Sequence, residues 1–195
     1  MEEMIPPEVE KTKGTLTIVF GRFNPPTIGH QKLLDKAAEF SENNDYLIVP
    51  SRTQDKKKNP LSVDIKISFM KRMFIIHAEK ILNEPEIKTI FDVLVKSHMD
   101  GYSNVRIVVG SDRVEEFEKI TGNYNGKLYQ FKKIELLSAG DRDPDGEGVE
   151  GISASNQRQL VMENNFEQFQ NGIPGEVSQE LAKELFDNLQ NSMRI

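Results

Sequence analysis

The stretch TLTIVFGRFNPPTIGHQKLL, residues 15–34, decides how this chain folds. Its first six residues are apolar or β-branched and lie between Gly14 and Gly21, which predicts a buried strand. After a loop with two prolines, apolar residues return at helical spacing from Leu33 onward. A buried strand that is followed at once by a loop and a helix is the first unit of an alternating α/β fold.

The same alternation continues along the chain. Further strands are predicted at residues 46–49, at residues 105–109 and within residues 128–137. Helices are predicted over residues 30–40, after Ser62, from about Pro85, from an Asp112 cap to residue 120, from Ser153 or Ser155, and from about Ser178. Short connections and right-handed crossovers then predict a doubly wound parallel sheet with helices on both faces.

Length and composition limit the domain organisation. A chain of 195 residues has room for one ordinary domain with a core. We expect a flexible leader at residues 1–13, the main domain at residues 14–160, and C-terminal helices at residues 161–195 that pack on the same domain. The oligomeric state is not predicted.

Several functional classes are disfavoured by composition. No apolar run is long enough to cross a bilayer, and the acidic N-terminus lacks the features of a secretory signal. Cysteine is absent, which excludes disulfides and thiolate metal sites and fits a cytoplasmic protein. A formal net charge of -6 argues against general nucleic-acid binding, whereas a small anionic substrate needs only local positive charge.

The loop after the first strand is the main candidate for phosphate binding. A helix that starts at about Ile28 directs its free amides and the positive end of its dipole into this loop. Gly29 allows a backbone to approach closely, and His30 lies in the first turn. Taken alone, the loop is equally consistent with a stiff turn that carries a surface histidine.

Two motifs in the chain resemble those of a known superfamily. Residues 21–30, GRFNPPTIGH, resemble the (H/T)xGH motif of the nucleotidyltransferase superfamily, and residues 152–158, ISASNQR, resemble its ISSTxxR motif, with Ala154 and Ser155 in place of serine and threonine. The weaker matches NPLS, residues 59–62, and VGSD, residues 109–112, resemble nicotinate and nicotinamide mononucleotide adenylyltransferases. Residues 138–158 look most like nucleotidyltransferase-like proteins encoded by tailed phages.

The resemblance implies a Rossmann-like fold and a Mg²⁺-dependent transfer of AMP, more than CMP, from a nucleoside triphosphate to a phosphorylated acceptor with release of pyrophosphate. ATP or CTP is the substrate, the nucleotide carries the Mg²⁺, and nicotinamide mononucleotide adenylyltransferase-like activity is the leading interpretation. Thr27 in the first motif keeps phosphopantetheine adenylyltransferase open, and cytidylyltransferase activity is a further alternative. A non-catalytic nucleotide-binding or assembly module of the same fold is the rival from another class.

The resemblance also assigns roles to individual residues. The implied catalytic residues are His30, Thr27 and Arg158. The implied nucleotide and phosphate ligands are Gly21, Arg22, Phe23, Asn24, Gly29, Ser153, Ser155 and Arg158. The implied acceptor ligands are Arg52, Lys58 and Asp112.

Structural alternatives remain for several of these residues. Ser153 and Asp112 are also suited to cap helices, Phe23 to fill the core, and the lysines at positions 56–58 to lie in a solvated loop. No metal site is predicted, because residues 141–146 copy only half of a calcium-binding loop. A mobile acidic loop, such as a lid, is the favoured interpretation of that segment.

Overall fold

A four-stranded sheet with the order β2-β1-β3-β4 organises the described part of the chain. The structure is a computed structural model, and it describes residues 4–43, 45–138 and 152–194. The strands are β1 (Lys13–Gly21), β2 (Tyr46–Pro50), β3 (Tyr102–Val109) and β4 (Lys133–Ser138). β3 pairs in parallel with β1 on one side, where Ile18 faces Ile107, and with β4 on the other. Because β2 lies on one side of β1 and β3 on the other, the winding of the chain reverses at β1.

Helices alternate with these strands and follow them along the chain. They are α1 (Ile28–Phe40), α2 (Val63–Met73), α3 (Ile90–Met99), α4 (Val114–Gly122), α5 (Ala154–Met162), α6 (Phe166–Phe169) and α7 (Gln179–Met193). A parallel sheet flanked by helices is an α/β Rossmann-like fold, so the predicted fold class is confirmed. None of the helices in the described residues is long and apolar enough to span a membrane.

The chain divides into two units. Unit 1 comprises Met1–Phe20, Leu33–Val49 and Glu84–Asp141, and unit 2 comprises Gly21–Lys32, Pro50–Asn83 and Arg142–Ile195. The predicted domain boundaries at residues 13 and 160 stay a prediction.

Unit 1 has the sheet as its core. The central strands bury Ile18, Val105 and Ile107 completely, as their continuous apolar sequence predicts. Within this unit, the segment before β1 contacts His98. Its Nε2 lies 2.8 Å from the carbonyl oxygen of Pro7, and its Nδ1 lies 2.7 Å from the Lys11 ammonium. Because the ammonium can only donate, Nδ1 accepts and the ring proton of His98 lies on Nε2. The flexibility of residues 1–13 as a whole stays a prediction.

Unit 2 is held by helix contacts. The guanidinium of Arg72 in α2 binds both carboxylate oxygens of Glu184 in α7, at 2.9 and 2.6 Å. The rings of Phe166, Phe169 and Phe186 form a cluster with centroid distances of 5.2 to 6.4 Å. Aromatic rings at these separations contribute both buried area and favourable ring geometry, so the C-terminal helices belong to the core of this unit.

Three predicted helix caps are confirmed, and two predicted helix starts are wrong. Ser62, Ser153 and Ser178 each accept a hydrogen bond from an amide in the first turn of α2, α5 and α7, which confirms these starts. The helix predicted from Pro85 begins only at Ile90, because Thr89 and Asp92 form a reciprocal capping box there. Asp112 does not cap α4; it lies in a 3₁₀ turn, Ser111–Arg113, and Arg113 takes the N-cap position without a side-chain bond.

The close approach of Gly172 to Gln157 gives a stability prediction. A Cβ atom at Gly172 would lie 2.3 Å from the side-chain amide of Gln157, which is buried and donates to the carbonyl of Phe169 at 2.9 Å. We expect Gly172→Ala to lower the free energy of unfolding by about 1–3 kcal/mol, because Gln157 has to move and its buried bond is broken. Urea denaturation measures the change. Gly175→Ala is the control, since nothing lies within 4 Å of its added Cβ, and equal stabilities of the two variants would contradict the prediction.

Candidate functional site

The loop that follows β1 directs two of its side chains inward. Phe23 has a φ of 50° and is completely buried. Asn24 is also buried, and its side chain binds Leu61 twice, accepting from the amide at 3.0 Å and donating to the carbonyl at 3.2 Å. Phe23 therefore fills the core, one of the roles that its sequence allows, and Asn24, predicted to bind the nucleotide, holds the loop to Leu61.

Thr27 and His30 form a closed local arrangement at the start of α1. The Thr27 hydroxyl accepts from the His30 amide at 3.3 Å, which is an N-cap bond, and lies 3.1 Å from Nδ1 of the His30 ring. The Thr27 amide donates to the same Nδ1 at 3.0 Å. Since Thr27 is 1% exposed, its hydroxyl is used to hold His30.

These contacts determine the tautomer and the orientation of His30. Because Nδ1 accepts from a backbone amide, the proton of the neutral ring lies on Nε2. The ring also packs against Phe23, with centroids 4.8 Å apart. His30 is therefore a fixed hydrogen-bond donor through Nε2.

The second motif lies against the first within unit 2. A Cβ atom added to Gly29 would lie 3.3 Å from the carbonyl oxygen of Ile152, so glycine is what allows the two segments to approach this closely. Arg158 donates to the carbonyl of Asn24 at 2.9 Å and to the Ser155 hydroxyl at 3.1 Å. The motifs, which are separated by more than a hundred residues in sequence, are thus brought together.

The second motif also presents the start of a helix. Ser153 caps α5 by accepting from the Asn156 amide at 3.1 Å, so its hydroxyl has a structural task. Ser155 is exposed in the first turn. Helix starts carry free amides and a partial positive charge, and the starts of α1 and α5 both lie in this region of unit 2.

Positive charge accumulates around Arg158. Burial lowers the pKa of the Arg158 guanidinium, and the nearby charge of Arg22 lowers it further, while the Asp55 carboxylate acts in the opposite direction. Arg22 itself is exposed. A guanidinium whose charge is disfavoured by a neighbouring guanidinium is a group that a bound anion would stabilise.

The segment after β2 forms an ordered turn. The Asp55 carboxylate accepts from the amides of Lys57 and Lys58, at 2.9 and 2.7 Å, and from the Asn59 side chain at 2.7 Å. The side chains of Lys56, Lys57 and Lys58 are exposed. Arg52, at the start of the segment, donates to the side chain of Asn83 at 2.9 Å.

The sequence interpretation missed Lys66. This lysine of α2 is completely buried, and its ammonium donates to the carbonyls of Arg22 and Ser51 at 2.8 and 2.6 Å. The residue type argues against burial here, because lysine is almost always exposed. The only available clue was its place among the buried positions of an amphipathic helix.

Most of the predicted site residues belong to unit 2. Those that the described contacts connect there are Gly21, Arg22, Phe23, Asn24, Thr27, Gly29, His30, Ser155 and Arg158. Asp112 belongs to unit 1, and its side chain lies outside the described residues. Residues 141–146, with the half-matched calcium loop, also lie outside them. Within the described ranges, no group of three or more His, Cys, Asp or Glu side chains is placed to hold a metal ion.

Comparison with known proteins places this fold and these motifs in a family. The model of the cytidylyltransferase-like family matches residues 18–165, which is most of the chain and includes both motifs. The chain therefore belongs to the cytidylyltransferase-like family.

One curated relative is similar to part of this chain. A probable nicotinate-nucleotide adenylyltransferase of Fervidobacterium nodosum is 29% identical over 119 residues, which cover 54% of this chain and 53% of the relative. The chain thus matches about half the length of this curated relative.

Solved structures resemble this fold at low identity. Nicotinic acid mononucleotide adenylyltransferase of Plasmodium falciparum, complexed with APC, matches with a TM-score of 0.56 and 18% identity over 89% of this chain and 97% of that chain. A bifunctional NMN adenylyltransferase/ADP ribose pyrophosphatase of Francisella tularensis matches with a TM-score of 0.59 and 14% identity over 92% of this chain and 52% of that chain. At these identities the likeness concerns the fold.

The two bonds between Asn24 and Leu61 give a second stability prediction. Asn24→Ala leaves the buried amide and carbonyl of Leu61 without their partners, so we expect the free energy of unfolding to fall by about 3 kcal/mol. Urea denaturation measures the loss. Asn188→Ala, which removes one exposed bond on α7, is the control and is expected to change stability by less than about 0.5 kcal/mol. A loss for Asn24→Ala as small as that of the control would show that this pair does not hold the loop.

The Asp55 turn predicts a dependence on acid pH. The bond from the Lys58 amide, followed by that from the Asn59 side chain, lowers the pKa of the Asp55 carboxyl from 3.8 to about 2. Because the pKa is lower in the folded state, the contribution of Asp55 to stability is complete above its ordinary pKa and disappears as the pH falls towards 2. We expect the stability difference between the unsubstituted chain and Asp55→Asn to be constant above about pH 4 and to shrink below it. A difference that persists unchanged to pH 2 would contradict this prediction.

Proposed function

We propose that this chain is a nucleotidyltransferase that transfers AMP from ATP to nicotinate or nicotinamide mononucleotide and releases pyrophosphate. The observation that carries the proposal is the meeting of the two motifs in unit 2, where Arg158 binds the Asn24 carbonyl and Gly29 approaches Ile152. The likeness to a probable nicotinate-nucleotide adenylyltransferase supports this choice of acceptor.

In this proposal the phosphate chain lies between the starts of α1 and α5. The acceptor phosphate attacks the α-phosphorus in line with the departing pyrophosphate, so catalysis consists of positioning and charge neutralisation. His30 donates from Nε2 to an α-phosphate oxygen, and Thr27 is a positioning residue that holds the ring. No side chain of the protein has to act as nucleophile.

The surrounding cations and amides bind the rest of the triphosphate. Arg158, Arg22 and the Ser155 hydroxyl contact phosphate oxygens, together with amides of Gly29 and of the α5 start. Gly21, Phe23, Asn24 and Ser153 set the shape of the site through the loop and the α5 cap.

The acceptor and the metal ion complete the proposal. Arg52 and Lys58 of unit 2 are the proposed acceptor ligands, and the acceptor role of Asp112 in unit 1 stays a prediction. Mg²⁺ enters as part of the nucleotide substrate, bound by phosphate oxygens, and neutralises charge as the pyrophosphate departs. We place the reaction in a reducing cytoplasm, that of the host if a phage encodes the chain, which fits the lack of cysteine.

The activity assay compares two nucleotides and several acceptors. Pyrophosphate release is measured with ATP and with CTP against nicotinate mononucleotide, nicotinamide mononucleotide, phosphopantetheine and glycerol 3-phosphate. Turnover with ATP and a pyridine mononucleotide is the expected result. Turnover that requires CTP or another acceptor would move the protein to a different branch of the family, and nucleotide binding without turnover would favour a non-catalytic module.

His30→Ala is the variant that tests the proposed chemistry most directly. We expect His30→Ala to lower kcat by at least about 100-fold, because it removes a fixed donor from the oxygen on which charge develops. Lys36→Ala on the same helix is the control, since it breaks only an exposed ion pair with Glu39. If both variants turn over at the same rate, His30 does not contribute in the proposed way.

A further inference from the structure

Lys66 is a completely buried cation that the proposed reaction does not use. Its ammonium lies 2.8 Å from the carbonyl oxygen of Arg22 and 2.6 Å from that of Ser51. A buried charge is costly unless hydrogen bonds compensate it, so both carbonyls are needed to keep the ammonium in place.

The two carbonyls belong to corresponding points of the chain. Arg22 is the first residue after β1, and Ser51 is the first residue after β2. The Ser51 amide also donates to the carbonyl of Gly21 at 2.7 Å, so the two segments are already in contact where Lys66 binds them. The two carbonyl oxygens converge on one position, and the buried ammonium of Lys66 supplies the donor between them.

Each connected segment carries a guanidinium that the proposed function assigns to a substrate. Arg22 is proposed to bind the triphosphate, and Arg52, the neighbour of Ser51, to bind the acceptor. The position of a side chain is limited by the backbone from which it projects. Whatever fixes the main chain at Arg22 and Ser51 therefore also fixes the origin of both charged side chains.

We propose that Lys66 is a positioning residue of the nucleotide site, whose ammonium joins the segments after β1 and β2 and so fixes where Arg22 and Arg52 project. This inference rests on the proposed function for the place of the nucleotide. It assigns Lys66 no contact with substrate.

The charge state of Lys66 provides a readout that a purely structural role would not affect. Burial, followed by the charge of Arg52, lowers the pKa of Lys66 from 10.5 to about 8. Because the folded pKa lies below the unfolded one, the cost of burying the charge is complete below pH 8 and disappears between about pH 8 and 10.5. This group therefore makes the fold more stable as the pH rises, so its deprotonation does not lower binding by unfolding the chain.

The first experiment measures the dissociation constant of a non-hydrolysable ATP analogue with Mg²⁺ by calorimetry at pH 7. We expect Lys66→Met to raise this constant at least tenfold, and Lys66→Arg, which retains a cation, to stay within about threefold of the unsubstituted chain. Lys71→Met, an exposed lysine of the same helix, is the matched control and is expected to leave binding unchanged. Circular dichroism and thermal melting confirm that each variant is folded. Unchanged binding in folded Lys66→Met would overturn the inference.

Two further measurements apply if Lys66→Met does not fold. Lys66→Gln, whose side chain is shorter and uncharged, is expected to raise the dissociation constant of the analogue at least threefold at pH 7. Between pH 7 and 9.5 the unsubstituted chain should lose affinity for the analogue at least threefold as the pH passes about 8, and Lys66→Arg should lose none. Unchanged binding in folded Lys66→Gln would overturn the inference.

The outcomes also separate this inference from the proposed function. If the analogue binds but no acceptor is turned over, the proposed transfer reaction fails while the comparison of Lys66 variants still decides the role of Lys66. If turnover occurs and Lys66→Met binds and reacts normally, only the role of Lys66 is overturned. No binding of the analogue to the unsubstituted chain would overturn both.

Discussion

The loop after β1 depends on hydrogen bonds that reach it from three other parts of unit 2. Lys66 binds the carbonyl of Arg22, the backbone of Leu61 pairs with the side chain of Asn24, and Arg158 binds the carbonyl of Asn24. Together these bonds fix the entry into α1, where Thr27 and His30 lie. The entry into α1 is thus held by α2, by Leu61 and by the second motif, each far from it in sequence, while Thr27 orients the imidazole locally.

The fold could be predicted because its signals are local and repeated. Apolar runs predicted the strands, serines before apolar periods predicted the caps at Ser62, Ser153 and Ser178, and the start of α1 predicted a phosphate site in the loop after β1. The positive φ of Phe23 and the inward direction of Asn24 could not be predicted, since the side chain of Asn24 depends on a partner 37 positions away. Lys66 was missed for a similar reason, since its burial depends on carbonyls supplied by two other segments.

At the two helix starts that were predicted wrongly, residue type competes with another local signal. Pro85 is a good first residue for a helix, yet the reciprocal bonds of Thr89 and Asp92 satisfy two amides at once and start α3 at Ile90. Asp112 has the residue type of a cap, but a 3₁₀ turn at Ser111–Arg113 comes first and moves the start of α4 past it. Residue type identifies candidates for a cap, whereas the path of the backbone decides among them.

The use of main-chain atoms at Arg22 has an evolutionary consequence. Lys66 binds the carbonyl of this residue, a group that every amino acid provides, while the Arg22 side chain is exposed. The anchoring of the loop is therefore separate from the chemistry that the loop displays at this position. Substitutions at position 22 can therefore change the side chain, and with it the anions that bind there, while the bond that anchors the loop is kept.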